Sequence, residues 1–415
     1  MKKALLGLNT IFIVLILVQG IGKSADKSDF FDYYNASNLL SEKKDIYQLD
    51  KLEEVKEKHK GANIFDSQVL ESLKELQGKI ASYIYPPFFA YLLIPISKLN
   101  YETASAVFIV LNFISLLVCI YLFREIFPTV NFSIVLFISL LLNYRFLESH
   151  SSNNQVALLL LLFIILSIRI KNEILSGFFL SLAIIIKLTP AIFLLYFLYK
   201  RKWNTILYVF FFGLVWIVIP GISDMEYNLI QWKNWKTLVL DSASNTANFR
   251  AWKNNQSLIA TLAKYFLIGA DPINQSKYGM PFISLEDIEV RRIFQFLGIV
   301  LMIPLLYRIK KGITENSLIS GLFILSVIFS GISWVHSFVF LLFPIFQLSK
   351  EFIDKPKLTN RSILFILFGI STIFTSGFVN KSLENQFLMF SGLLYCAILL
   401  YGIVITTEET NESSL

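Results

Sequence analysis

Asp29, Asp32, Tyr33 and Tyr34 stand together in the stretch Lys27-Ser-Asp-Phe-Phe-Asp-Tyr-Tyr-Asn-Ala36, directly after the first hydrophobic segment. A carboxylate at a membrane surface is costly unless it is solvated, paired or in use. An Asp whose pKa is raised by its surroundings can take the proton of an attacking hydroxyl. Further along, Tyr85, His150, Gln155, Lys187, Arg250, Asn255, Gln256 and His336 are polar outliers at the ends of apolar runs. Lys187 and His336, with Arg250 as a third, are the groups suited to a departing phosphate, which needs positive charge or aimed donors. Asn255 and Gln256 suit either substrate contact or the orientation of a loop. Trp232, Trp235 and Trp252 suit either a sugar ring or an interfacial aromatic belt. Together these residues form a site for a lipid phosphate carrying a sugar.

Apolar helices must position that set. The 415 residues are 55% hydrophobic and only 16% charged, against roughly 25% charged in soluble proteins. The apolar excess lies in long blocks, as expected where lipid replaces water as solvent. The chain is thus expected to be an all-α polytopic membrane protein forming one unit over residues 1–415. The net charge of +7 reads as loop topology rather than nucleic-acid binding. Cys119 and Cys396 fall inside apolar runs and read as packing residues, with neither a disulfide framework nor a metal pattern.

Lys2 and Lys3 place the N-terminus inside, so an uncleaved first helix over 4–22 delivers Asp29 to the outer face. Residues 23–103 then form a large first outer loop. Its periodic Ile46, Leu49, Leu52 and Val55, and again Phe65, Val69, Leu73 and Leu76, predict two amphipathic surface helices. The Tyr85-Pro86-Pro87 segment predicts a short interfacial or re-entrant helix. Residues 174–199 have basic groups at both ends but are too few for two full crossings, so two short helices should meet at Lys187-Leu-Thr-Pro190. A second outer loop spans 221–290 and carries Arg250, and a single crossing is expected over 387–405. The count comes to about 12 crossings, with both termini cytoplasmic.

Asp29-Phe-x-x-Tyr33-Tyr34-x-Ala36 after the first helix resembles the first-loop motif of GT-C glycosyltransferases in the polyprenyl-phosphate-mannose-dependent alpha-mannosyltransferase family. Tyr85-Pro86-Pro87, Asn154-Gln155, Lys187-Leu-Thr-Pro190, Asn255-Gln256-Ser-Leu258 and Ser333-Trp-x-His336 recur in the family's order. The resemblance implies a GT-C fold and an inverting, hexosyl (mannosyl-type) transfer. The donor would be a polyprenyl-phosphate sugar, and the acceptor a glycolipid or glycan at the outer face of the cytoplasmic membrane. It implies Asp29 rather than Asp32 as the general base, and His336 beside the donor phosphate. Asp32, Tyr33, Tyr34, Tyr85, Gln155, Asn255 and Gln256 are then expected around the substrate, with no cofactor and no metal site. The chain departs from the family at Ser337, where a second histidine is common, and in its charged insert over 41–79. A multi-pass transporter is the competing class; the absence of duplicated halves and the gathering of polar residues at one face weigh against it.

Overall fold

The computed structural model describes residues 2–49, 54, 57–60, 83–241, 251–267, 283–357, 359–375, 377 and 379–406. Among these residues the structure is helical, without strands, and Leu267 and Leu285 form an isolated bridge. In chain order the first helices are α1 (Lys2–Gly22), α2 (Asp29–Ser41), α3 (Pro87–Leu92), α4 (Ile94–Ser97), α5 (Tyr101–Ile126) and α6 (Phe132–Ser152). There follow α7 (Ala157–Arg169), α8 (Glu173–Ile186), α9 (Leu194–Tyr199), α10 (Trp203–Val218), α11 (Met225–Trp235) and α12 (Leu258–Phe266). The last group is α13 (Asp287–Lys311), α14 (Glu315–Ile328), α15 (Leu342–Asp354), α16 (Asn360–Thr372), α17 (Lys381–Met389) and α18 (Gly392–Ile405).

Five of these, α1, α5, α6, α10 with its closing turn, and α13, are long and apolar enough to cross a membrane. A sixth is reached if α17 and α18 count as one bent span. Length and composition therefore give five or six spans, and the count of about 12 draws also on shorter apolar pieces such as α7, α8 and α14. The long helices turn apolar side chains outward, among them Phe210, Phe211 and Leu214 on α10 and Ile299, Ile303 and Leu306 on α13. A helix face left apolar at the surface suits lipid rather than water. The core lies elsewhere, around α14, where every residue from Ser317 to Ile328 is buried. A helix buried on all sides needs no polar face, and its serines are satisfied inside: Ser320 donates to Gln347 Oε1 at 2.6 Å and Ser326 to the Phe323 carbonyl at 2.7 Å.

Side-chain caps begin several of these helices. Asn100 accepts the Thr103 N–H at 2.9 Å to start α5, and Asn172 accepts that of Leu175 at 3.0 Å to start α8. Each satisfies a donor that the first helical turn leaves open. α8 ends at Lys187, whose backbone is extended, and a 3-10 turn over Thr189–Phe193 opens on Pro190 before α9. Pro190 has no N–H to bond the Ile186 carbonyl four residues back, and its ring would clash there, so α8 stops where the sequence indicated.

Two expectations are corrected. The segment over 387–405 is not one straight crossing: it breaks after α17, with Ser391 in the left-handed region at φ 58°, and its halves are bent by 63°. Ile46 lies in a turn rather than an amphipathic helix. There Asp45 accepts the N–H groups of Tyr47 and Leu49 at 3.1 and 2.9 Å, and Ile46 itself is buried. At Ile46 a local side-chain cap and a tertiary socket outweigh the helical period, whereas Leu49 is helical and Leu52 and Val55 lie outside the described residues. The second amphipathic stretch, over 65–76, lies outside the described residues.

Candidate active site

α2 begins at Asp29, so Asp29, Asp32 and Tyr33 occupy its first turns. Residues three and four apart share a helix face, which aims all three the same way, while Tyr34 is turned about 100° off. Tyr34 accordingly points elsewhere and donates to the Leu99 carbonyl at 2.9 Å. Tyr33 is fully buried, and its hydroxyl donates to Gln155 Oε1 at 2.8 Å, with the Tyr85 hydroxyl 3.0 Å away. Tyr85 reaches the same oxygen at 3.3 Å. With its carbonyl end occupied by two phenols, the Gln155 amide directs Nε2 at Asp29, to which it donates in a short contact. Gln155 is itself placed by Asn154, in the left-handed region at φ 48°, whose Nδ2 donates to the Ser105 carbonyl at 2.9 Å.

Burial raises the Asp29 carboxyl above its usual range, while the Gln155 hydrogen bond and the Lys187 charge pull it back down. Burial also raises the Tyr33 hydroxyl well above its usual value, so it stays neutral and can donate. Lys187 arrives at the break after α8, close enough for its charge to act on Asp29. His336 comes from a 3-10 turn, Val335–Leu341, that leads into α15.

These groups line one cavity of about 440 Å³. Asp29, Asp32, Tyr33, Tyr85, Gln155, Lys187 and His336 all border it. Trp235 forms part of its wall, with Nε1 fixed on the Ile84 carbonyl at 3.2 Å. Asn255 and Gln256 do not border it. Asn255 Oδ1 accepts the Ser333 N–H at 2.9 Å, and the Gln256 N–H donates to the Ser333 carbonyl at 2.8 Å. Gln256 Nε2 also bonds the Lys253 and Leu388 carbonyls, at 2.6 and 2.7 Å. Both amides therefore seat the loop from which His336 projects. His150 is also outside the cavity and accepts the Leu158 N–H at 3.1 Å, capping α7. Arg250 lies outside the described residues.

Sequence reasoning did not single out Ser330, Gly331 or Val239, which border the cavity too. The small residues just before Ser333-Trp334 were the available signal for the first two. Chemically, the cavity sets a carboxylate of raised basicity, oriented by an amide, against an ammonium group and an imidazole. It can accept a proton and meet negative charge.

A family model described as Glycosyltransferase family 87 matches residues 83–335, more than half of the chain. The match takes in Tyr85, Gln155, Lys187, Asn255 and Gln256 and stops short of Asp29 and His336. No curated protein and no solved structure matches.

Proposed function

The chain belongs to glycosyltransferase family 87, and from that premise we propose that it moves a hexosyl group, mannosyl in type, from a polyprenyl phosphate to a glycolipid or glycan acceptor. The reaction is a single inverting displacement. The acceptor hydroxyl attacks the anomeric carbon from the side opposite the phosphate and loses its proton to Asp29. Gln155 orients that carboxylate, and Asp32, Tyr33 and Tyr85 border the acceptor. As the bond to phosphate breaks, Lys187 and His336 meet the charge that develops on the leaving oxygen. Arg250 is a third candidate for that role, and Trp235 offers a face to the sugar. Tyr34, Asn255 and Gln256 act on the site indirectly, through the segments they hold. No cofactor takes part beyond the lipid-linked donor.

The observation that carries this proposal is the convergence of Asp29, Lys187 and His336 on one cavity from three distant parts of the chain. Basic residues at the ends of apolar segments support about 12 crossings, with the cavity at the outer face of the cytoplasmic membrane. The transporter alternative is not favoured, because the family is one of glycosyltransferases.

Membranes holding wild type or Asp29→Asn, given radiolabelled polyprenyl-phosphate sugars, test the assignment. The variant should bind donor but lose about 10²- to 10⁴-fold in transfer, the usual contribution of a general base. Equal product labelling by the two proteins would sink it.

A further inference from the structure

A second cavity, of about 240 Å³, backs onto the first. Trp334 and His336 line both. The second cavity is also bordered by Arg145 of α6, Lys253 of the loop before α12, and Lys381, Glu384 and Asn385 of α17. Arg145 pairs closely with Glu148 and lies 3.7 Å from Glu384, and Lys381 lies 2.8 Å from Glu384. Lys253 Nζ donates to Asn385 Oδ1 at 3.0 Å, so its charge meets an amide rather than a carboxylate. In this network two carboxylates face three cations, leaving one positive charge in excess. A network that only tied α17 to α6 would account for Arg145, Glu384 and Lys381. It would need neither Lys253 nor an open polar space beside His336.

We propose that this cavity is the subsite for the phosphate monoester released by transfer. The inference rests on the proposed reaction in the first cavity. There the acceptor oxygen bonds to the anomeric carbon, and the bond from that carbon to the phosphate oxygen breaks. The electron pair stays on phosphate, and the acceptor proton goes to Asp29. The donor is a phosphodiester with one negative charge, whereas the product monoester carries about −1.5 to −2 at pH 7. A pocket with surplus positive charge, reached past His336, favours the product form. The Arg145 guanidinium adds the planar fork that suits phosphate oxygens.

The full chain in detergent can be tested by displacement of radiolabelled farnesyl phosphate. The competitors are farnesyl phosphate, its methyl diester and inorganic phosphate. Wild type should prefer the monoester over the diester by about tenfold, the scale of one added charge interaction in a partly shielded site. Lys253→Gln and Arg145→Gln should reduce the preference to about threefold or less on the same reasoning. Lys253→Gln faces no carboxylate partner and is the safer variant for folding. Inorganic phosphate competing as well as farnesyl phosphate would support recognition of the headgroup alone, and much weaker competition would support the lipid-borne form. Equal binding of monoester and diester by wild type, or a preference unchanged in Lys253→Gln, overturns the subsite. Asp29→Asn should keep the preference while losing transfer. A preserved preference with undiminished transfer would sink the catalytic assignment and leave the subsite standing.

Discussion

At Asp29 two effects oppose one another: burial raises the carboxyl pKa, and the Gln155 amide with the Lys187 charge lowers it. The Gln155→Leu variant removes the larger of the lowering contributions and should push the pKa higher still. A base works only when ionised, so transfer falls as pH drops through its pKa, and the acid limb of the rate profile should move to higher pH. A pH–rate profile that overlays wild type would show that the amide does not tune the base. Asp29, Lys187 and His336 were legible in the sequence because a titratable group in an apolar chain is conspicuous. The bond from Gln155 to Asp29 was not, since it joins residues 126 positions apart and depends on two phenols occupying the other end of the amide. Tyr34 was misplaced for a simpler reason: as the neighbour of Tyr33 it shares the motif but not the helix face.

The element that brings Lys187 to the site is α8, and its packing fixes where that lysine lies. Gly177 of α8 presses on α10, where an added Cβ would stand 2.5 Å from Tyr208 Cβ and 3.0 Å from the Thr205 carbonyl oxygen. Small residues allow helix backbones this close in membranes. Replacing Gly177 with Leu should force the pair apart at about 1–3 kcal/mol, the usual cost of overpacking. Thermal unfolding in detergent should show a lower Tm than wild type, with Gly177→Ala between the two. An unchanged Tm in the Leu variant would mean that the interface yields freely. The break after α8 was readable from Lys187 and Pro190 because proline acts locally. The turn at Ile46 was not, because the Gln231 side chain that accepts its N–H at 3.1 Å comes from far along the chain.

Across the whole molecule the long α10 and α13 expose most of their apolar surface while the shorter α7 and α14 are largely buried, an arrangement that hydropathy alone does not rank. Sequence identified the apolar pieces but not their burial, since a lipid-facing helix and a core helix use the same residues. Orientation across the bilayer can be tested with single cysteines in intact cells. Glu42→Cys, in the first loop, should react with a membrane-impermeant maleimide. Lys311→Cys, at the end of α13, should react only after permeabilisation, and the reverse pattern would invert the topology. The chain's two native cysteines suit it to this test. Cys119 and Cys396 are both buried, one against α5's neighbours and the other on α18. A water-borne thiol reagent should find neither sulfur, so the unaltered chain is its own blank and each label reports only the position introduced.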